Sequence, residues 1–115
     1  MTAEGKTTIA QEVLLTIARL SCLSVDGVSR MANPPRTVSR ILNKTNKDGV
    51  QVEVTEDTVY IDLYVILKND VNVREVSRMI QQEVNRAISE MVGMQVGRVN
   101  VHIEDIDYPQ ISVDK

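Results

Sequence analysis

Apolar and polar residues alternate almost without a break from Gly49 to Lys68, pausing only at Glu56-Asp57. A period of two over that span predicts two strands joined by a tight turn. Val50, Val52 and Val54 share one face of the first strand, and Val59, Ile61, Leu63, Val65 and Leu67 share one face of the second. The opposite face carries Gln51, Glu53, Tyr60, Asp62, Tyr64 and Ile66. One face is expected to be core and the other largely wet, as in an antiparallel sheet covered on one side.

The period changes on both sides of this hairpin. Thr7–Ala10 suits a short strand. Val13, Ile17 and Leu20 then follow i, i+4, i+7, with Leu14, Ala18 and Ser21 beside them, which predicts a helix from Ala10 to about Leu23 or Ser24. Asp26-Gly27 stops it, Gly27 suiting a left-handed residue after the helix. Val28–Met31 reads as a short strand. Asn33-Pro34-Pro35 opens a new element, because prolines are tolerated before or within the first turn of a helix and not inside it. Val38, Ile41 and Leu42 then give a short helix from about Pro35 to Asn43, followed by a polar loop, Lys44–Asp48.

Downstream of the hairpin, Asn69 and Asp70 make a turn. Asn72 suits an N-cap, with Glu75 three residues on as in a capping box. Val73, Val76, Ile80, Val84, Ala87 and Met91 recur at steps of three and four, Met79, Ile88 and Val92 widen the stripe, and Gly93 ends the helix. Arg98–Glu104 alternates again and predicts a last strand with Val99, Val101 and Ile103 inward. Asp105 to Lys115 is an acidic tail broken by Pro109, and its Ile111-Ser112-Val113 piece is able to add to a sheet edge. The expected fold is α/β of the α+β type. It is a single small domain with a mostly antiparallel sheet around a central hairpin, two main helices on one face and one short extra helix. The domain is expected over 5–107, with 1–4 and 108–115 as flexible termini.

Composition narrows the function classes. A chain of 115 residues makes one domain the default. With three Tyr, no Phe and no Trp, the core must come from aliphatic residues. A formal net charge of −3 argues against a dedicated phosphate-backbone binder. The single cysteine, Cys22, excludes an internal disulfide. No apolar run of about 18 residues is present, and the N-terminus lacks the apolar stretch of a signal peptide. A cytoplasmic protein is expected, with membrane association coming only through a partner or a surface patch.

Candidate chemistry is sparse. His102, the only histidine, falls on the outward face of the last strand with Asn100 and Glu104, and Tyr60, Asp62 and Tyr64 are placed to share that face. A His, Asp and Tyr cluster can do acid–base work, although a solvated polar sheet face is the commoner meaning of such a set. Cys22 follows the apolar stripe of the first helix and reads as a packing residue. The five glycines contain no GxGxxG and no P-loop, and Gly93 and Gly97 fit turn geometry at a helix end and a strand start. No catalytic, cofactor-binding or metal-ligating residue is assigned. Charge is uneven: Arg30, Arg36, Arg40, Lys44 and Lys47 form a basic stretch without an acid, and Glu104, Asp105, Asp107 and Asp114 make the end acidic. Arg36 and Arg40 are i, i+4 and point the same way on the short helix.

Three local signatures occur in order. Ile9-Ala10-Gln11-Glu12-Val13 leads into an apolar helix ending at Val25-Asp26-Gly27-Val28. The hairpin pairs Gly49-Val-Gln-Val-Glu-Val54 with Val59-Tyr-Ile-Asp-Leu-Tyr-Val65. Met91-Val-Gly-Met-Gln-Val96 leads into Val99-Asn-Val-His-Ile-Glu-Asp-Ile106. Over about Gly5 to Asp107 the chain resembles the alkaline-shock-protein family of Gls-type envelope stress response proteins. The resemblance implies a small, non-enzymatic, cytoplasmic α/β domain without catalytic residues or cofactors. It also implies a link to cell-envelope homeostasis and stress, recruitment to the inner face of the membrane by a small membrane-anchoring protein, and self-assembly into homo-oligomers. The leading expectation is therefore an interaction or scaffold protein. Its candidate interaction face is Tyr60, Asp62, Tyr64, Asn100 and His102, and its candidate basic contact is Arg36, Arg40 and Lys44. The alternative is a small RNA-binding module using the basic segment 30–47, with Tyr60 and Tyr64 as a weak stacking pair.

Overall fold

In the computed structural model, Gly5, residues 7–33 and residues 45–108 are described. Helix α1 spans Gln11–Leu23 and strand β1 Val28–Met31. Strands β2 (Thr45–Lys47), β3 (Val50–Thr55) and β4 (Thr58–Lys68) follow. Helix α2, Val73–Ala87, runs on into a π-helical turn, Ile88–Val92, and strand β5 covers Gln95–Asp107. These elements form an α+β fold with one five-stranded sheet.

Strand β4 is the centre. Along one edge β5 runs parallel to it from Thr58↔Gln95 to Lys68↔Asp107. Two strands share the other edge, both antiparallel: β3 beside the first half (Val50↔Leu63 to Thr55↔Thr58) and β1 beside the second (Val28↔Leu67 to Met31↔Val65). Strand β2 lies outside β3. Three of the four pairings are antiparallel, as expected around the hairpin, but the longest is parallel. A parallel pair needs a long crossover, and α2 supplies it between β4 and β5.

The inward face follows the predicted parity. Val50, Val52, Val59, Ile61, Leu63, Val65 and Leu67 are buried against Leu14, Leu15, Ala18 and Cys22 of α1 and Val76, Ile80, Val84 and Ile88 of α2 and its π turn. Both ends of the second helix are set by the expected residues. Asn72 Oδ1 accepts from the Glu75 N–H at 3.0 Å. Gly93 adopts φ 78°, and its N–H reaches the carbonyls of Ile88 and Ser89 at 3.2 and 3.1 Å.

Five local expectations change. Thr7–Ala10 forms no strand; Ala10 is extended (φ −65°, ψ 143°) but unpaired in the sheet, and it leads into α1. The buried stripe of α1 is Leu14, Leu15, Ala18 and Cys22, leaving Val13 and Leu20 about half exposed. Two apolar stripes overlap on this helix, and the one carrying the small Ala18 and Cys22 lets the helix approach the sheet closely. The polar loop Lys44–Asp48 contains β2. Asp48 and Gly49 link β2 to β3 with φ 54° and 81°, the double positive φ that a two-residue hairpin turn requires. A Cβ on Gly49 would also collide with the Ala32 carbonyl oxygen. Strand β5 is longer than Arg98–Glu104 and takes in Asp105 and Asp107, which were expected in the tail. Lastly, the outer face is not largely wet: Gln51, Tyr64 and Ile66 are 1%, 5% and 7% exposed. The predicted helix Pro35–Asn43 and the Ile111–Val113 piece lie outside the described residues.

Cys22 is fully buried, and burial pushes its thiol from an ordinary 9.0 up to about 12. Above pH 9 the unfolded thiol loses its proton while the buried one keeps it. The unfolded state then binds fewer protons, and stability falls as pH rises, by about 1.4 kcal/mol per pH unit for one proton. Urea unfolding at a series of pH values between 9 and 12 is expected to show this extra slope in the parent and not in Cys22→Ala. Identical slopes would mean that the thiol ionises freely in the fold. Gln51 supplies a second test, because among the described residues neither its Oε1 nor its Nε2 has a hydrogen-bond partner. A buried amide in that state costs roughly 1–3 kcal/mol, so Gln51→Leu is expected to raise the unfolding free energy by about 1 kcal/mol. A clear loss of stability would show that the amide is satisfied in solution.

Candidate functional site

The outer sheet face, opposite the helices, collects the polar side chains that the core excludes. Successive residues of a strand point to opposite faces, so β4 directs Tyr60, Asp62, Tyr64 and Ile66 outward. Its parallel register with β5 sets Arg98 beside Tyr60, Asn100 beside Asp62 and His102 beside Tyr64. Gln51 of β3 sits beside Asp62 from the other side. The five candidate face residues named from the sequence therefore meet on adjacent strands.

Asp62 is the hub. Asn100 Nδ2 donates to its Oδ1 at 3.1 Å, and His102 Nε2 lies 3.0 Å from the same oxygen. A carboxylate facing Nε2 favours the tautomer with the proton on that nitrogen, so the imidazole donates and is fixed in direction. The Asp62 carboxylate is mostly covered, with a side-chain exposure of 17%, whereas His102 keeps 40%. The imidazole also stacks on Tyr64, with centroids 4.5 Å apart and planes 12° from parallel. Burial, together with the negative charges of Asp62 and Glu104, raises the Tyr64 phenol above its ordinary 10, so it is uncharged near neutral pH.

Tyr60 is held differently. Register shifts in the β4–β5 pairing leave Gly97 as an extra residue on β5. A Cβ there would come 2.5 Å from Tyr60 Cε1, so glycine is needed for the ring to lie where it does. The Gly97 role is this close approach rather than the turn geometry first expected for it. The Arg98 guanidinium sits 5.6 Å from the Tyr60 centroid, a cation–π distance. Arg98 and Gly97 are the face residues that sequence reasoning missed, while Gln51 was placed on the face by its parity but not among the candidate residues. Arg98 shares its parity with Asn100 and His102, and that parity was the signal for it.

At the far end of the face, Arg30 Nε and Nη2 donate to Asp107 Oδ2 and Oδ1, both at 3.2 Å, and Ser29 Oγ also donates to Asp107. These donors hold the Asp107 carboxyl below its ordinary value. Arg30 is paired with the buried Ile66 across β1 and β4, so the bridge spans β4 on the face that carries Ile66. One member of the basic stretch is thus tied to the acidic end of the same molecule. Arg36, Arg40 and Lys44 lie outside the described residues.

The arrangement orients an imidazole, an amide and a guanidinium on one sheet face. The Tyr64 ring meets the His102 ring face on. Tyr64 is also too buried to serve as an open stacking platform, which leaves Tyr60 as the accessible aromatic of the pair. Among the described residues, no group of three or more His, Cys, Asp or Glu is placed to hold a metal ion, and no helix is long and apolar enough to cross a membrane.

Known proteins share both the sequence and the fold. The model of the alkaline shock protein family, described as having a cell envelope-related function, matches residues 1–108. The chain is similar to the uncharacterized protein YqhY of Bacillus subtilis (strain 168), with 29% identity over 106 residues, 90% of this chain and 78% of that protein. It is also similar to the uncharacterized protein Spy1535 of Streptococcus pyogenes serotype M6, with 34% identity over 110 residues, 92% of this chain and 84% of that protein. Among solved structures, one variant of the MamM CTD superposes with a TM-score of 0.53 at 13% identity, covering 83% of this chain and 96% of that one. Another gives 0.52 at 12%, covering 83% and 95%. Identity that low shows a shared fold and nothing further. The match over residues 1–108 and the three signatures in the sequence agree: the chain belongs to the alkaline shock protein family, whose function is cell envelope-related.

Proposed function

We propose that this protein is a non-enzymatic interaction module of cell-envelope homeostasis and stress response, and that the outer sheet face is where a protein partner docks. In this reading a small membrane-anchoring protein brings it to the inner face of the cell membrane, and copies of the chain assemble with one another. The observation that carries the reading is the pre-ordered set around Asp62. Asn100 and His102 are already bonded to it, and the imidazole is already stacked on Tyr64. Docking on such a face costs little further side-chain ordering, which is where weak interfaces lose affinity. Tyr60 with Arg98 adds an aromatic and an arginine, the residue types enriched at interface centres. The cell envelope-related function of the family supports the same direction.

RNA binding rests on the basic segment alone, since Tyr64 is covered by His102 and Arg30 is engaged with Asp107.

The test is affinity capture of the tagged protein from gently solubilised cells. Tyr60→Ala combined with His102→Ala is expected to lower partner recovery at least about tenfold. Both side chains are only partly buried, so the thermal midpoint should fall by no more than about 5 °C. Undiminished capture of the same proteins by this folded variant would rule the face out.

A further inference from the structure

A second surface lies at the opposite side of the sheet, at the end of the molecule where α1 begins. There the β3–β4 turn and the π turn converge around an open cavity of about 350 Å³. Ile9, Leu14, Val54, Val92 and Met94 form its apolar walls, with Thr7, Gln11 and Asp57 as the polar groups of its lining. That volume is at the small end of ligand-pocket sizes, with room for one or two large apolar side chains. Ile9 of the lining and Val13 and Met91 of the adjoining segments are large apolar residues left exposed, Met91 at 71%. Exposed apolar side chains gathered around a cavity mark docking sites, and exposed methionine adapts to varied partners.

The backbone at this site is also irregular. The helix after Ala87 widens into a π turn over Ile88–Val92, and Val92 and Met94 reach the cavity from its end. Single π turns inside helices occur frequently at functional sites.

Charge selects the occupant. Asp57 lines the cavity, and Glu56 precedes it in the same exposed turn. An acyl chain carrying a carboxylate or phosphate would bring like charge to this rim. A peptide with an apolar face and flanking Lys or Arg would bring the opposite charge.

We propose that this cavity is a docking pocket for a basic amphipathic protein segment, which seats an apolar side chain between Leu14, Val54 and Val92 and sets its cations against Asp57 and Glu56. The proposal rests on the interaction-module reading and adds to it a second surface and the chemistry of what fits there.

Two synthetic amphipathic peptides test it, identical in their Leu/Ile face and carrying either Lys or Glu on the other face. Each is titrated into the ¹⁵N-labelled full chain, alongside phosphatidylglycerol vesicles. The Lys peptide is expected to shift the amides of Thr7–Leu14, Glu56–Asp57 and Val92–Met94. It should bind about tenfold more tightly than the Glu peptide and weaken with added salt. Val54→Phe, which fills the cavity, should weaken the Lys peptide at least about tenfold. If Val54→Phe does not fold, the exposed-turn pair Glu56→Lys with Asp57→Lys decides alone, by reversing the preference between peptides. Equal binding of the two peptides, shifts confined to the outer sheet face, or shifts at these amides caused by the vesicles instead would overturn the proposal. Failure here with capture still dependent on Tyr60 and His102 removes the pocket and leaves the interaction module standing. Specific binding of the Lys peptide with no dependence of capture on Tyr60 and His102 keeps the pocket and removes the outer face.

Discussion

The parallel pairing of β4 with β5 is the constraint on which the rest of the structure depends. It runs the full length of β4, whose other edge is divided between β3 and β1. Flanked on both edges, β4 can bury Val59, Ile61, Leu63, Val65 and Leu67 in one row. Because the pair is parallel, the chain must cross the sheet between the two strands, and α2 does so over the inward face beside α1. A one-residue slip of β5 would turn Val99, Val101 and Ile103 to the outside and Asn100 and His102 into the core. The same register that closes the core thus assembles the polar face.

That outer face is a second, smaller packing layer rather than a wetted surface. Tyr64 is covered by the His102 ring, and the buried Ile66 is paired with Arg30, which bridges to Asp107 on the same face. Asp62, mostly covered itself, is satisfied within this layer by accepting from Asn100 and His102. Gln51 is the exception, a buried amide that has no hydrogen-bond partner among the described residues and that register sets beside Asp62. Gly97 shows how closely the face is fitted, since its missing side chain is what admits the Tyr60 ring.

Local rules were legible wherever a residue acts through its own backbone. The hairpin, the Asn72 cap, the Gly93 stop and the parity that puts Tyr60, Asp62, Tyr64, Asn100 and His102 on one side all follow from spacing. The β2 strand had its signal too, in Asp48-Gly49, but the polar run before it outweighed the turn. What spacing cannot carry is pairing between distant strands. The length of β5 depends on β4 offering a partner as far as Lys68, which draws Asp105 and Asp107 into a strand against their own preference. The burial of Tyr64 depends on His102 arriving from the neighbouring strand, and the choice between two apolar stripes on α1 depends on how closely that helix can sit on the sheet. The candidate face was therefore visible as a set of residues, while its order, its coverage and its contacts with Arg98 and Gly97 were not.

The functional account follows from that order. A face whose hydrogen bonds and stacking are made in the free molecule is suited to the recognition role proposed for it, and the family's function is cell envelope-related. The most direct test is the state of the His102 ring in solution. If β4 and β5 pair as described, NMR will show contacts between the His102 and Tyr64 ring protons, and His102 ring resonances displaced by the tyrosine that return toward free values in Tyr64→Leu. A His102 ring without tyrosine contacts and with free-solution shifts in the folded parent would mean that β5 pairs in another register and that the face does not exist as drawn.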